Sequence, residues 1–253
     1  MSQSRFMPRL MKPIRVAMLK CDGHAYWYGP LLAKCDAPKL RERFNASHFF
    51  LSDMYFPARI TARQVSGFVL ASVWDRDRNE AQRFAEMFEP LPRVCRTIEE
   101  ALEGVDAAFC AECDCDGSDH LERATPCLKR GLPTFVDKPF ALKTSDARRI
   151  VALARKHKAP LMSSSILGFI PEVEMMRANL RALSVTPTLG TGGTRFTEQD
   201  LGRVRFGVVK GCWGWTSQSG QEGVIHGLTL AQAVFGPGVE SVQSMGSQRA
   251  STR

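Results

Sequence analysis

Apolar positions follow two rhythms along this chain. Ile14–Leu19 (IRVAML) and Phe68–Trp74 (FVLASVW) are short unbroken runs containing β-branched residues, which predicts strands buried on both faces. Val105–Cys110, Pro133–Val136 and Leu161–Ser163 are runs of the same kind, and Arg93–Cys95 is a minimal one. Between them the period becomes helical. Ala81, Phe84, Ala85 and Phe88 recur at i, i+3, i+4 and i+7 within Asn79–Glu89. Thr97 can cap a helix over Ile98–Glu103. Another helix opens at Ser118 and closes on Gly131, with a kink expected at Pro126, too deep to be a first-turn proline. Thr144 or Ser145 caps the next, Asp146 is favourable in its first turn, and Ala147, Ile150, Val151 and Ala154 form its buried face.

Strand–helix–strand alternation with short connections predicts βαβ units and a right-handed parallel sheet. The expected fold is α/β: a Rossmann-like doubly wound sheet over residues 1–162, then a smaller α+β domain over 163–253. Residues 36–66 show no clean period and carry Phe49, Phe50, Tyr55 and Phe56. They read as an insertion, either an aromatic flap or dimer contact, or an irregular surface excursion. In the second domain Pro171–Leu183 is a helix with Val173, Met176 and Leu180 inward, and Thr186–Gly193 is turn-rich. Val204–Val209 and Gly211–Thr216 are strands, and Gly223–Phe235 is a helix stopped by Gly236-Pro237-Gly238.

Charge changes this picture little. The net charge of +8 is spread over scattered pairs such as Arg41/Arg43, Arg76/Arg78, Arg148/Arg149 and Lys156/Lys158, with no aromatic interleaving, so solvated helix faces rather than nucleic-acid binding are expected. The same charge suits an anionic ligand. No apolar run is long enough to span a membrane. The opening MSQSRFMPRLMKPIR is basic but lacks an apolar core, so it reads as a loose tail rather than a secretory signal. Eight cysteines outside a small secreted scaffold point to a reducing, cytoplasmic setting. Cys110-Ala111-Glu112-Cys113 is formally C-x-x-C, but no second pair completes a zinc site, and no metal is expected. Trp213 and Trp215 share one face of a presumed strand, either stacking a sugar or covering half-buried sheet.

Ligands of doubly wound sheets gather at the carboxyl ends of strands, here Cys110–Asp119 and Asp137–Pro139. The same stretches, Asp-Ala-Ala-Phe at a strand, Ser118-Asp119-His120 opening a helix, Leu-Lys-Arg-Gly-Leu-Pro-Thr-Phe-Val and then Asp137-Lys138-Pro139-Phe-Ala, resemble the Gfo/Idh/MocA family of glucose–fructose oxidoreductase, inositol dehydrogenase and relatives. The likeness is good over roughly residues 94–175. It departs by one methylene from that family's Glu-Lys-Pro.

The resemblance implies an NAD- or NADP-dependent oxidoreductase, a homo-oligomer, acting on a sugar or polyol hydroxyl. It makes Lys138 the residue that contacts substrate and nicotinamide and assists proton transfer. It makes His226 the base that takes the hydroxyl proton, with Glu222 its partner one helical turn away; a histidine with a packing role is the alternative. Asp137 and Pro139 belong to its motif at the cofactor, and Asp116, Ser118 and His120 become contacts beside the nicotinamide ribose. The family's second domain is a large mixed sheet, against which residues 163–253 look shortened.

The turn after Ile14–Leu19 should cradle a diphosphate at a helix N-terminus. Of the glycine pattern only Gly23 stands in it; Lys20 and Asp22 replace small residues, and a carboxylate there repels phosphates unless it turns away. Asp75, closing Phe68–Trp74, is the group expected on an adenosine ribose, although 75 − 23 = 52 residues separate it from Gly23, against about 20 usually. Arg76 beside it leaves room for a 2′-phosphate. The competing class is a non-catalytic binding or scaffold protein keeping this architecture; a redox or metal module using the cysteines is third.

Overall fold

The computed structural model describes residues 12–43, 64–111, 116–185, 188–189, 195–196, 207–209 and 222–243. The Phe49–Phe56 aromatics, Cys113, Cys115, Trp213, Trp215 and the strand expected at Gly211–Thr216 lie outside them. The described residues form two compact units, one reaching to Ser164 and the other running from Ser165, with Glu222 grouped with the first.

The first unit holds β1 (Ile14–Leu19), α1 (Gly23–Leu32), β2 (Lys34–Cys35), α2 (Ala37–Arg43), β3 (Phe68–Trp74), α3 (Arg78–Ala85), β4 (Phe88–Glu89), β5 (Arg93–Val94), α4 (Ile98–Ala101), β6 (Ala107–Cys110), α5 (His120–Lys129), β7 (Thr134–Val136), α6 (Thr144–His157) and β8 (Leu161–Met162). Its sheet has the order β5-β3-β1-β6-β7-β8, and every pairing in it is parallel. The chain steps outward from β1 on one side, returns, and steps outward on the other, so this is a Rossmann-like doubly wound sheet whose switch point lies between β1 and β6.

Why β1 reads as an unbroken apolar run is visible in its packing. Ala17 and Leu19 join one buried cluster with Ala108, Cys110, Val136, Leu128 and Ile150, under α4, α5 and α6. Met18 faces the other cluster, with Leu70, Val73, Ala25, Tyr26 and Phe84, under α1 and α3. Alternate residues of the strand therefore feed opposite cores, and neither side tolerates a polar residue without a partner.

Caps follow the sequence in part. Asp77 accepts from Asn79 N–H at the start of α3, and Thr97 Oγ1 from Glu100 N–H at 3.1 Å at the start of α4. Neither Thr144 nor Ser145 caps α6. The Lys143 carbonyl accepts from Asp146 and Ala147 N–H, which starts the helix one residue earlier and leaves Thr144 inside it. Phe88 is buried as expected, but on β4, which pairs antiparallel with β2, because α3 ends at Ala85. Residues 37–43, expected to be part of an aperiodic insertion, form α2. Asp36 Oδ1 accepts from Lys39 N–H, and Leu40 enters the core beneath.

The second unit is smaller. It holds α7 (Pro171–Val185), β9 (Thr188–Leu189) paired antiparallel with β10 (Arg195–Phe196), and α8, grouped here from Gly223 within Glu222–Phe235. On α7, Val173 is buried, but Met176, expected inward, is 49% exposed. Residues 207–209, expected to close a strand, are not in one.

Candidate functional site

The carboxyl ends of β1, β3, β6 and β7 lie side by side, stitched by backbone hydrogen bonds. Lys20 N–H donates to the Trp74 carbonyl, Ala111 N–H to Leu19, and Asp137 N–H to Cys110. Side chains of these strand ends and of the first turn of α1 then meet along one edge.

The β1–α1 turn holds a single glycine, Gly23, at the start of α1. Lys20 adopts φ +75, a left-handed conformation usual for glycine. Asp22 is the N-cap of α1, accepting from His24 N–H at 3.1 Å, and Lys20 Nζ lies 3.4 Å from its other oxygen. Asp75, where the sequence placed it, uses Oδ2 to accept from Cys21 N–H at 2.7 Å and Oδ1 to accept from Asp77 N–H at 2.9 Å. Burial foremost, and then the charges of Asp75 and Asp22, push the Cys21 thiol well up, so it is no nucleophile.

At the end of β7, Asp137 is buried. One carboxylate oxygen accepts from Lys138 N–H at 2.7 Å; the other accepts from His24 Nδ1. Lys138 is itself only 8% exposed. Tyr28, one turn further along α1, packs on Phe109 and Phe135 and edge-on to His24. Burial and the nearby Asp137 push its hydroxyl up to about 12, so it stays protonated and able to donate. The turn of α1 and the end of β7 are thus joined through a histidine–carboxylate pair, with a lysine and a tyrosine beside it.

The loop beyond β6 is organised by burial. Arg123 on α5, almost wholly enclosed, donates to the Ala111 carbonyl at 3.2 Å and pairs with Asp119. His120 is fully buried, and its Nδ1 meets the Phe140 carbonyl at 3.1 Å. Burial first and the Arg123 charge second hold its pKa below the ordinary value, so the ring is neutral at neutral pH and Nδ1–H donates. Gly117, with φ +76, lies against the Pro139 carbonyl. Asp116 accepts from Ser118 N–H at 3.0 Å, and hydrogen bonding from the Ser118 side chain foremost, with that N–H after it, holds its carboxyl below the usual range.

The predicted residues therefore divide. Gly23, Asp75, Asp137, Lys138 and Pro139 fall along the strand edge. Arg76 instead reaches Glu122 on α5 at 2.5 Å, both more than half exposed. Helix α8 starts at Glu222, which is grouped with the first unit, so Glu222 and His226 stand four residues apart on one helix; within the second unit His226 Nδ1 and Ser165 Oγ are hydrogen-bonded at 2.6 Å, and Ser165 Oγ accepts from Leu167 N–H. Sequence reasoning missed His24, Tyr28, Gly117 and Ser165. The Asp-Gly of Asp116-Gly117 was a readable turn signal; the partners of His24 and Ser165, 113 and 61 positions away respectively, were not.

A doubly wound sheet with acidic and basic groups gathered at the carboxyl edge near its switch point is the architecture of Rossmann-fold nucleotide-binding proteins. Residues 52–165, which carry Asp137-Lys138-Pro139, match the family model GFO_IDH_MocA, described as an oxidoreductase family with an NAD-binding Rossmann fold. Trans-1,2-dihydrobenzene-1,2-diol dehydrogenase from Mus musculus is 28% identical over 110 residues, covering 43% of this chain and 32% of that protein. Putative oxidoreductase YceM from Salmonella typhimurium is 29% identical over 142 residues, covering 53% of this chain and 45% of the relative. The chain thus spans less than half the length of the curated relatives it matches. Among solved structures, an oxidoreductase from Agrobacterium radiobacter in complex with NAD+, L-tartaric acid and magnesium superposes with a TM-score of 0.53 at 17% identity, covering 89% of this chain and 55% of that one. GenD2 from gentamicin A biosynthesis in complex with NAD gives 0.51 at 18% identity, covering 74% and 44%. At such identities these superpositions speak for the fold alone.

A dinucleotide's fit can be tested on these side chains. Asp75 closes β3 where an adenosine ribose needs a carboxylate. The middle of the site does not fit as it stands: the N–H groups of Cys21 and His24 already donate to carboxylates, and Asp22 places negative charge where a diphosphate would add more.

Proposed function

We propose that this protein is an NAD-dependent oxidoreductase of Gfo/Idh/MocA type that acts on a sugar or polyol hydroxyl. The observation that carries the reading is Lys138: a buried lysine between Asp137 and Pro139 at the end of a parallel strand, within the stretch matching the family. A largely desolvated amine placed there is suited to holding or moving a proton as a hydroxyl is oxidised. NAD rather than NADP is favoured because Asp75 would repel a 2′-phosphate, whereas Arg76 is engaged by Glu122. His226, held by Ser165, is the second proton carrier in this reading, with Glu222 one turn before it. The nicotinamide would supply the hydride acceptor. A homo-oligomer and a reducing cytoplasm complete the proposal.

A non-catalytic Rossmann-fold binding protein is the second reading, favoured by one observation: Asp22 and Asp75 take the N–H groups of the first turn. One experiment separates the two. NADH and NADPH are titrated into the full chain by fluorescence, and hydride transfer is then followed over a panel of polyols. The oxidoreductase reading expects NADH to bind and one polyol to be turned over, with Lys138→Met lowering the rate at least about a hundredfold. No binding at millimolar NADH and NADPH would leave the scaffold reading standing.

A further inference from the structure

The turn between β1 and α1 carries an anion already. Asp22 lies at the N-terminus of a ten-residue helix, its side chain only 8% exposed, with His24 N–H on one oxygen and the Lys20 ammonium on the other. This is the arrangement a phosphate group would meet: a helix-start N–H, the positive end of the helix dipole and a cation. The backbone of the turn has not collapsed, because Lys20 still holds the left-handed angle. What stands in the way at the helix start is the Asp22 carboxylate, with Asp75 holding the Cys21 N–H beside it, and not a changed fold.

We propose that Asp22 is a built-in competitor for the cofactor's diphosphate. Its carboxylate holds the anion position with Lys20 as counter-ion, a dinucleotide enters only when Asp22 swings out of the turn, and Lys20 then passes from Asp22 to the phosphate. Like charges at hydrogen-bond range in a partly enclosed turn cannot share the position, so the two anions exclude each other. Lys20 serves either one. Where glycines would hold the diphosphate with backbone N–H groups alone, this chain holds it with a side chain and sets its affinity through the neighbouring acid. The inference rests on the dinucleotide-binding reading above.

The test is a set of binding titrations on the full chain with three probes: NADH, ADP, which has the diphosphate without the nicotinamide, and adenosine, which has neither. Asp22→Gly removes the competing anion. Asp22→Asn removes the charge while keeping a side-chain acceptor for His24 N–H, so a variant that keeps the cap is in hand if the glycine variant folds poorly. Both should bind NADH and ADP at least about tenfold more tightly than the parent chain, with adenosine unchanged, because the relief of repulsion acts on the diphosphate alone. Adding Lys20→Met to Asp22→Asn should remove most of that gain. If NADH binds the parent and both Asp22 variants equally, Asp22 is no competitor, and the dinucleotide reading survives without it. If all three fail to bind NADH and ADP, both fall together. Equal tightening for adenosine would also overturn the proposal, since the effect would not be on the diphosphate.

Discussion

Two left-handed residues stand at the carboxyl edge of the sheet, and they have had different fates. Gly117 has φ +76 and Lys20 φ +75. At Gly117 the backbone of another loop presses in: a Cβ there would run into the Pro139 carbonyl, with Ala141 Cα and His120 Nδ1 each at 3.2 Å. At Lys20 the side chain leaves the turn freely enough to pair with Asp22. A glycine demanded by protein backbone stays glycine. A position where glycine serves only the approach of a ligand can drift while the fold remains intact.

The largest effect expected from this contrast is at Gly117. Alanine must take a left-handed conformation and also displace the Pro139 carbonyl or the chain at Ala141, costing about 3 kcal/mol together. Urea denaturation of Gly117→Ala measures it. A loss under about 0.5 kcal/mol would mean that the two loops separate at little cost and that Gly117 does not fix Pro139.

How much of this was legible varies by kind of interaction. Ile14–Leu19 and Phe68–Trp74 form strands with the bounds their apolar runs predicted, because burial on two faces writes an unbroken run directly into the sequence. The helix at 37–43 was missed because it is short and, among its described side chains, offers one inward residue, Leu40, too few to set a period. Asp75, Asp137 and Lys138 were found because strand ends are readable and ligand sites follow strand ends. His24 was not found. Its partner Asp137 lies 113 positions away, and no local pattern encodes which two strand ends the fold brings side by side.

The second effect tests that join. Removing Asp137 takes the acceptor from both His24 Nδ1 and Lys138 N–H, and His24→Ala strips one partner from a buried carboxylate. Each should cost about 1–3 kcal/mol, since a buried group left unmet keeps its desolvation penalty. The double variant should fall short of the sum by about 1 kcal/mol or more, as expected for residues sharing one bond. Strict additivity of the two in a denaturation cycle would remove the link between α1 and β7 from the account.

The smallest effect is the informative mirror of the first. Lys20→Gly relieves a left-handed side-chain residue, worth about 1 kcal/mol, but gives the unfolded chain back a similar amount of freedom. It also removes a largely enclosed ion pair with Asp22, whose attraction is mostly offset by desolvation and which leaves Asp22 its bond from His24 N–H, so the net loss is about 1 kcal/mol. The first two terms nearly cancel, so the stability of Lys20→Gly should stay within about 1 kcal/mol of the parent chain. A change beyond about 1.5 kcal/mol in either direction would show that the side chain at position 20 governs the shape of the turn. The difference drawn between a glycine fixed by backbone and one that a ligand alone required would then fail at this position. Near-neutrality, set beside a costly Gly117→Ala, would localise the protein's departure from the glycine pattern to ligand affinity and leave its fold untouched.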